Sequence, residues 1–448
     1  MLKENKKTLL LQYMNPNEPQ MPDSNFTRRD FIKTTATAAI GSSLLAASKA
    51  FAQNDGTLKI ALIGCGGRGS GAANQALSAD SNLKLVAIAD AFQNNLENCL
   101  NNLRKEHGDK VAVPEENRFV GFDAYKKAIA LADVVILATS PGFRPIHFEE
   151  AVKQGKHVFM EKPVAVDAPG VRRVLAAAAE AKQKNLKVGV GLQRHHQLGY
   201  LETMERLHGG AIGDIVAMRC YWNGGGVWVR ARQAGQTEME YQMRNWYYFN
   251  WLCGDHINEQ HIHNLDVINW VKKGHPVRCH GMGGRQVRTG IDHGEIFDHH
   301  AVEYEYADGS RLFSQCEHIE GVWSSVSEHV IGTKGNCDVS GHIIRGANPW
   351  KFDKQGALDP YQQEHNDLFK AIRTDKPHNE AENGAHSTMT SIMGRMATYS
   401  GKAIEWDDAI NSKIDLMPEV FAWDANPPTL PDKNGRYAIA IPGKTIAV

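Results

Sequence analysis

Apolar positions in the first half of the chain come in short unbroken runs. They fall at 58–63 (LKIALI), 83–89 (LKLVAIA), 133–139 (DVVILAT), 156–160 (KHVFM) and 186–192 (LKVGVGL). Runs of this length without alternation are strands buried on both faces, as in a parallel sheet. Helix-compatible stretches separate them: one after residue 69, one at 147–154 stopped by Gly155, and an Ala-rich one at 170–185. The alternation predicts an α/β, doubly wound parallel sheet, with the run at 186–192 leading out of it. Beyond Gln193 the texture changes. Residues 215–222, 301–307, 311–317 and 328–332 alternate apolar with polar side chains and are joined by glycine turns. They predict an α+β part built on an open, mainly antiparallel sheet, one face covered by helices and the other free for packing or oligomerisation. Two helices at 360–374 and 385–401 precede an irregular tail.

The first two runs frame Gly64-x-Gly66-x-x-Gly69, and the second ends in Asp90, about 20 residues past the last glycine. Strand, glycine loop, helix, strand and terminal acid make a dinucleotide-binding unit of Rossmann type. Gly64 permits the tight turn, Gly66 lets a pyrophosphate approach, and Gly69 lets helix and strand meet. Backbone N–H groups at the helix start hold the phosphates, which adds Gly67 and Arg68 to the candidate contacts. Asp90 accepts hydrogen bonds from a ribose diol and repels a 2′-phosphate, so NAD is favoured over NADP. Thr139, Ser140 and Pro141 end a strand at the carboxyl edge where ligands bind. His147, and Glu161 with Lys162 after the next strand, are further candidates for cofactor contact.

Composition narrows the function. Lys and Arg number 50 against 51 Asp and Glu, so there is no electrostatic footprint for nucleic acid or an anionic membrane. The seven cysteines (65, 99, 220, 253, 279, 316 and 337) are scattered and contain no C-x-x-C, which indicates neither a disulfide framework nor a zinc ribbon. Upstream, Thr27-Arg28-Arg29-Asp30-Phe31-Ile32-Lys33 precedes a mildly apolar stretch at 34–47, and Ala50-Phe51-Ala52 offers small residues to a signal peptidase. Residues 1–52 thus resemble a twin-arginine export signal, with Met21 as an alternative start, and the apolar stretch is too short for a membrane span. The expected destination is the periplasm or another exported location. The twin-arginine route carries folded proteins, commonly loaded with cofactor in the cytoplasm. No free nicotinamide pool waits outside, so the cofactor is expected to stay bound and return to its starting redox state each cycle.

Three stretches then carry a family resemblance over roughly residues 57–405. They are the glycine loop with Asp90, LATSPGFRPIHFEEAVKQGKHVFMEKPVAVD at 137–167, and HIHNLDVINW at 261–270. The chain resembles the Gfo/Idh/MocA oxidoreductases, named for glucose–fructose oxidoreductase, inositol dehydrogenase and a rhizopine-catabolism protein. The resemblance implies an NAD-binding domain at 55–190 and a substrate-binding and oligomerisation domain at 191–448. It also implies a lysine beside the nicotinamide and a histidine facing it across a sugar or polyol, roles that map onto Lys162 and His263. The chemistry agrees. A hydride leaves an alcohol carbon only as the hydroxyl proton is removed, which calls for a base and a charge beside that oxygen.

If the segment 254–270, GDHINEQHIHNLDVINW, is helical, Asp255, Glu259 and His263 fall on a single face. Glu259 stands where the family offers an aspartate and is the candidate to orient or charge-balance His263. Arg194, Asp255, Asn258 and His263 are the candidate substrate contacts. His256 and His261 do not share the face of His263 on such a helix, and no metal is expected. Arg194-His195-His196, Asp292-His293 and Asp298-His299-His300 are polar clusters more readily explained as surface groups. Trp222, Trp228, Tyr247, Tyr248 and Trp251 are candidates to stack on a pyranose ring. The expected function is an exported carbohydrate oxidoreductase with NAD recycled in place and homo-oligomeric assembly through the open sheet. The alternative is a redox-neutral glycosidase or keto-sugar lyase resembling glycoside hydrolase family 109, although the Thr-His-Gly-Leu-Gly-Pro stretch associated with that family is replaced here by GDHINEQHIHN.

Overall fold

In a computed structural model that describes residues 56–353 and 356–448, the buried runs become parallel strands of a six-stranded sheet. These are β1 (Leu58–Ile63), β2 (Leu83–Asp90), β3 (Arg118–Val120), β4 (Val134–Leu137), β5 (His157–Met160) and β6 (Val188–Val190), in the order β3-β2-β1-β4-β5-β6. The order reverses between β1 and β4, which opens a crevice beyond their carboxyl ends. Helices Gly67–Ala79 and Gln93–His107 cover one face through Ala72, Ala76, Leu96 and Leu100. Helices Arg144–Lys153 and Ala168–Gln183 cover the other through Phe148, Ala151, Val171 and Val174. The run at 186–192 shortens to β6, the edge strand, before the chain crosses to a second sheet.

The second sheet has nine strands: β7 (Ile215–Gly224), β8 (Arg278–Gly284), β9 (His299–Glu305), β10 (Arg311–His318), β11 (Ser325–Gly332), β12 (Gly335–Asp338), β13 (Ile343–Gly346), β14 (Trp350–Lys351) and β15 (Ile404–Glu405). Their order is β14-β13-β12-β11-β7-β10-β9-β8-β15. Neighbours are antiparallel except β7 and β10, which run parallel. Alternation in β9 and β10 turns Val302, Tyr304, Leu312 and Cys316 inward. Against that face lie helices Ile262–Lys272 and Ala381–Ser400, the latter buried almost all round, as a central helix must be. The opposite face leaves Phe313 and Ile331 exposed at 45% and 42%.

Two features depart from the sequence-based division at residue 190. The helix Pro360–Thr374 returns to the first sheet, where Leu368 and Phe369 join the core that contains Phe159. The tail at 412–448 runs back over the molecule without regular structure. It is tied by the Leu416 N–H to Asp167 Oδ2 (2.9 Å), by Gln242 Nε2 to the Thr429 carbonyl (2.8 Å) and by the Gly443 N–H to the Ser400 carbonyl (2.7 Å). Residues Thr57–Val448 accordingly form one compact unit. The segment expected to act as an export signal lies outside the described residues. Among those described, no helix is long and apolar enough to cross a membrane.

Candidate active site

The glycine loop is shaped by close approach. Gly64 has φ +96°, and a Cβ there would lie 2.4 Å from the Thr139 nitrogen; a Cβ on Gly69 would lie 1.9 Å from the Gly64 carbonyl oxygen. Gly66 and Gly67 face open space instead. The helix beginning at Gly67 has no side-chain cap and no acid in its first turn, so its N–H groups are available to an anion. The loop borders a cavity of about 560 Å³ that also touches Ser70, Asn95, Thr139 and Ser140. An adjoining pocket is walled by Phe92, Phe122, Tyr125, Phe143 and His147. Asp90, 9% exposed, closes one end. Its Oδ2 accepts the Cys65 N–H (2.6 Å) and its Oδ1 the Phe92 N–H (2.8 Å), while burial pushes the carboxyl above its ordinary range. A free helix start, a loop stripped of Cβ atoms and an acid at the far end together fit a dinucleotide.

Other predicted cofactor contacts take firmer positions. Arg68 gives Nε to Glu161 Oε1 (2.5 Å) and Nη2 to Glu364 Oε1 (3.0 Å) and lies over the Tyr361 ring. Arg68 and Glu161 therefore bind each other, lacing the glycine loop to the end of β5 and to the late helix. Arg144, buried, holds the Glu161 carbonyl (2.9 Å) and the Thr139 carbonyl (2.7 Å), fixing the two strand ends. His147 lies within 3.3 Å of Thr139 Oγ1 and beside Tyr125. Burial, with Arg144 adjacent, lowers its pKa to about 3. Pro141 opens a short buried turn, Pro141–Phe143.

Lys162 lies near enough to His263 for its charge to act on the imidazole. The Lys162 ammonium donates to the Glu259 carbonyl (2.6 Å) and to Glu259 Oε1 (3.1 Å), with both side chains 11% exposed. His263 is 5% exposed, its Nδ1 has no hydrogen-bond partner, and its ring lies nearly parallel to Trp222 with centroids 5.9 Å apart. Burial, then the charge of Lys162, holds its pKa well below the ordinary value, so the imidazole is neutral. Glu259 was expected to orient His263; the structure gives its carboxylate to Lys162.

The single helix considered over 254–270 does not form. The chain instead forms a short helix, His256–Glu259, breaks at Gln260 and His261, and restarts as Ile262–Lys272. Asp255 sits before both, with φ +73° and ψ 162°, a region almost reserved for glycine that costs about 1–3 kcal/mol. It turns away from His263 and accepts from Tyr399 Oη (2.5 Å) and the Phe297 N–H (3.0 Å). Asn258 is fully buried, donating to the Ala165 and Cys253 carbonyls and accepting from Ser391. Arg194 is paired with Glu328 beneath the sheet surface. Asp255 and Asn258 thus brace the scaffold, and Arg194 is held by Glu328. The break also removes the premise on which His256 was set apart from a metal site.

Of the aromatic candidates, Tyr247, Tyr248 and Trp251 are core residues, at 2%, 1% and 1% exposure. Trp228, with Arg230, Met243, Arg244 and Trp246, borders the loop side of the crevice. Apart from Trp228, that wall is missed by sequence reasoning, although the aromatic density of 222–251 is its signal. Phe421 and Trp423 of the tail reinforce it, with Trp423 4.6 Å from Phe122 and 5.2 Å from Phe92. His195 and His196 face Asp266 and Asp367 respectively (2.8 and 2.7 Å). Asp292 accepts from Tyr241, and Asp298 accepts three successive backbone N–H groups.

Comparison with known proteins agrees with this architecture. Residues 58–191 match the model of an oxidoreductase family described as having an NAD-binding Rossmann fold. Over 269 residues, 58% of this chain and 69% of that protein, the chain is 29% identical to inositol 2-dehydrogenase of Azotobacter vinelandii. A 24% identity to inositol 2-dehydrogenase of Gluconacetobacter diazotrophicus extends over 72% of the chain and 88% of that protein. Among solved structures, scyllo-inositol dehydrogenase of Lactobacillus casei superposes with a TM-score of 0.60 at 20% identity, covering 78% of this chain and 98% of that one. Aldose-aldose oxidoreductase of Caulobacter crescentus gives 0.60 at 17% identity, covering 78% and 99%. Family match, relatives and two-sheet fold converge: the chain belongs to the Gfo/Idh/MocA oxidoreductases, an enzyme of the sugar- and polyol-dehydrogenase kind with an NAD-binding Rossmann half.

Proposed function

We propose that this enzyme oxidises a secondary hydroxyl of a cyclic polyol or sugar, with NAD held in the crevice and with Lys162 and His263 managing the hydroxyl proton. The observation that supports the reading is an ammonium fixed by Glu259 whose charge is felt at a histidine kept neutral by burial. A bound nicotinamide supplies the acceptor for the hydride. Neutral His263 takes the hydroxyl proton, which an imidazolium cannot do. Lys162 stabilises the negative charge that gathers on the same oxygen. Glu259, holding the ammonium through both its carbonyl and its carboxylate, keeps that charge in one place.

Asp90 at the end of β2 favours NAD, because an anionic carboxylate there would repel a 2′-phosphate. The aromatic wall from 228–246 and the tail favours a cofactor that stays through many turnovers. If the twin-arginine signal delivers the chain outside the cytoplasm, a second sugar or polyol must then return the hydride. The exposed Phe313 and Ile331 suit self-association through the outer face of the second sheet.

The test is a panel of inositols, aldoses and glycosides, followed by bound-NADH absorbance in single turnover and by product analysis. Lys162→Ala and His263→Ala are each expected to lower turnover by about 10²–10⁴ while NAD still binds. Their losses combine less than additively because both act on one proton. Aglycone release without net NADH would instead establish the redox-neutral glycosidase. Wild-type rates in both variants would overturn the site assignment.

A further inference from the structure

Beneath the crevice, where the turn before the short helix His256–Glu259 meets β9 and β10, lies a group of side chains that the proposed reaction does not use. Asp255, His256 and His300 are at most 2% exposed, and one ligand-type atom from each lies within 4.8 Å of the others. Asp255 Oδ1 stands 3.3 Å from His300 Nε2 and 3.9 Å from His256 Nε2. Neither nitrogen of His256 has a hydrogen-bond partner in the protein. His318 lies against His256 with ring centroids 4.3 Å apart, and its Nδ1 is likewise buried and unpaired.

The tautomer of His300 sharpens the point. Its Nδ1 lies 2.9 Å from Thr398 Oγ1, and that hydroxyl spends its single hydrogen on the Arg395 carbonyl (3.1 Å). Thr398 can therefore only accept, so Nδ1 carries a hydrogen and Nε2 is the nitrogen left to face the carboxylate. Two electron-rich atoms 3.3 Å apart in a dry interior call for a positive charge, either a proton on Nε2 or a metal ion that both atoms ligate. An imidazole fixed through its far nitrogen, with its near nitrogen bare, is the usual state of a metal-bound histidine.

We propose that Asp255, His256 and His300 bind a divalent transition-metal ion, zinc by the nature of the donors, with His318 beside the fourth position. Two or three imidazoles and one carboxylate are a zinc-type donor set. Metal–ligand bonds of about 2.0–2.2 Å place tetrahedral donors about 3.3–3.5 Å apart, so the observed spacings close with small side-chain rotations. The ion ties the turn at Asp255 to two strands of the sheet. Since the same short helix ends at Glu259, which grips Lys162, the ion positions the catalytic lysine from behind and touches neither hydride nor substrate. It also compensates for the glycine-like backbone that Asp255 adopts.

The full-length protein, purified without chelator, is dialysed against zinc, passed through a desalting column and assayed by elemental mass spectrometry. About one zinc per chain is expected, and replacement by cobalt gives the intense visible bands of a tetrahedral site. His256→Gln and His300→Gln should each reduce retained zinc at least tenfold, whereas His299→Gln, on the neighbouring half-exposed position, should keep it. Wild-type protein that retains no zinc overturns the proposal without reference to any variant. Full retention in both His256→Gln and His300→Gln, or equal loss in His299→Gln, overturns it as well. If either site variant fails to fold, zinc titration of chelator-treated wild type decides: binding weaker than micromolar overturns the site.

Discussion

Asp90 shows how one side chain serves fold and ligand together. Its Oδ1 already takes the Phe92 N–H and the Asn95 side-chain amide, and its Oδ2 takes the Cys65 N–H and keeps a lone pair for a ribose hydroxyl. Asp90→Ala removes both services. It should weaken NAD by about 1–3 kcal/mol, roughly 5–150-fold, the range for losing hydrogen bonds to a charged group. Asp90→Asn keeps an acceptor and loses the charge, so discrimination against NADP should relax more than NAD affinity falls. Titration of both variants with both nucleotides by calorimetry separates the two effects. Lys162 and His263 stand out in the sequence because each lies just after or just inside the end of an element within a distinctive motif. Asp255 does not. A non-glycine residue at φ +73° leaves no mark in an apolar pattern, and that one turn redirects Asp255, His256 and Asn258.

At the scale of elements, burial pattern decided what was readable. The strands β1 and β10 and the helix Pro360–Thr374 follow their predicted spans almost residue for residue. Strands β12 to β15 span two to four residues each, too few for any period to show. The helix Ala381–Ser400 starts earlier than its apolar residues suggest, because its first turns bury Ala381, Gly384 and Ala385, which carry little hydrophobic signal. The destination of Pro360–Thr374 was also hidden, since its periodicity shows an apolar stripe and not the partner. Leu368 is fully buried against the first sheet. Leu368→Ala should cost about 2–5 kcal/mol. Chemical denaturation should then show a lower midpoint, together with faster loss of bound nucleotide, since Glu364 of the same helix braces Arg68 at the glycine loop.

The whole molecule stores many neutral histidines, and this sets its response to acid. His147 and His261 are held at about 3, and His157 and His318 at about 4, in each case first by burial. Unfolded, they protonate near 6.5. The unfolded chain thus binds more protons between those values. Stability should be complete above about pH 6.5 and decline steadily as pH falls toward 4 and 3. His196 has the opposite sign. Burial pulls its pKa down, yet Asp367 and Glu380 hold it up at about 10, so its contribution is whole below about 6.5 and is lost progressively as pH rises from there through 10. Thermal melts from pH 8 to pH 4 should show the decline; a flat midpoint across that range would contradict the buried neutral assignment.

The tail that brings Trp423 against Phe92 and Phe122 also bears on time. Contacts this remote along the chain are among the slowest to form, because a long loop must close before they give anything back. During folding, the glycine loop and its strands are local and assemble early, so the nucleotide site exists before its outer wall does. In the finished molecule Trp423 and Phe421 brace Phe92, Phe122 and Phe143 from behind, so loosening of the tail should loosen the wall of the nucleotide site and speed exchange of its ligand.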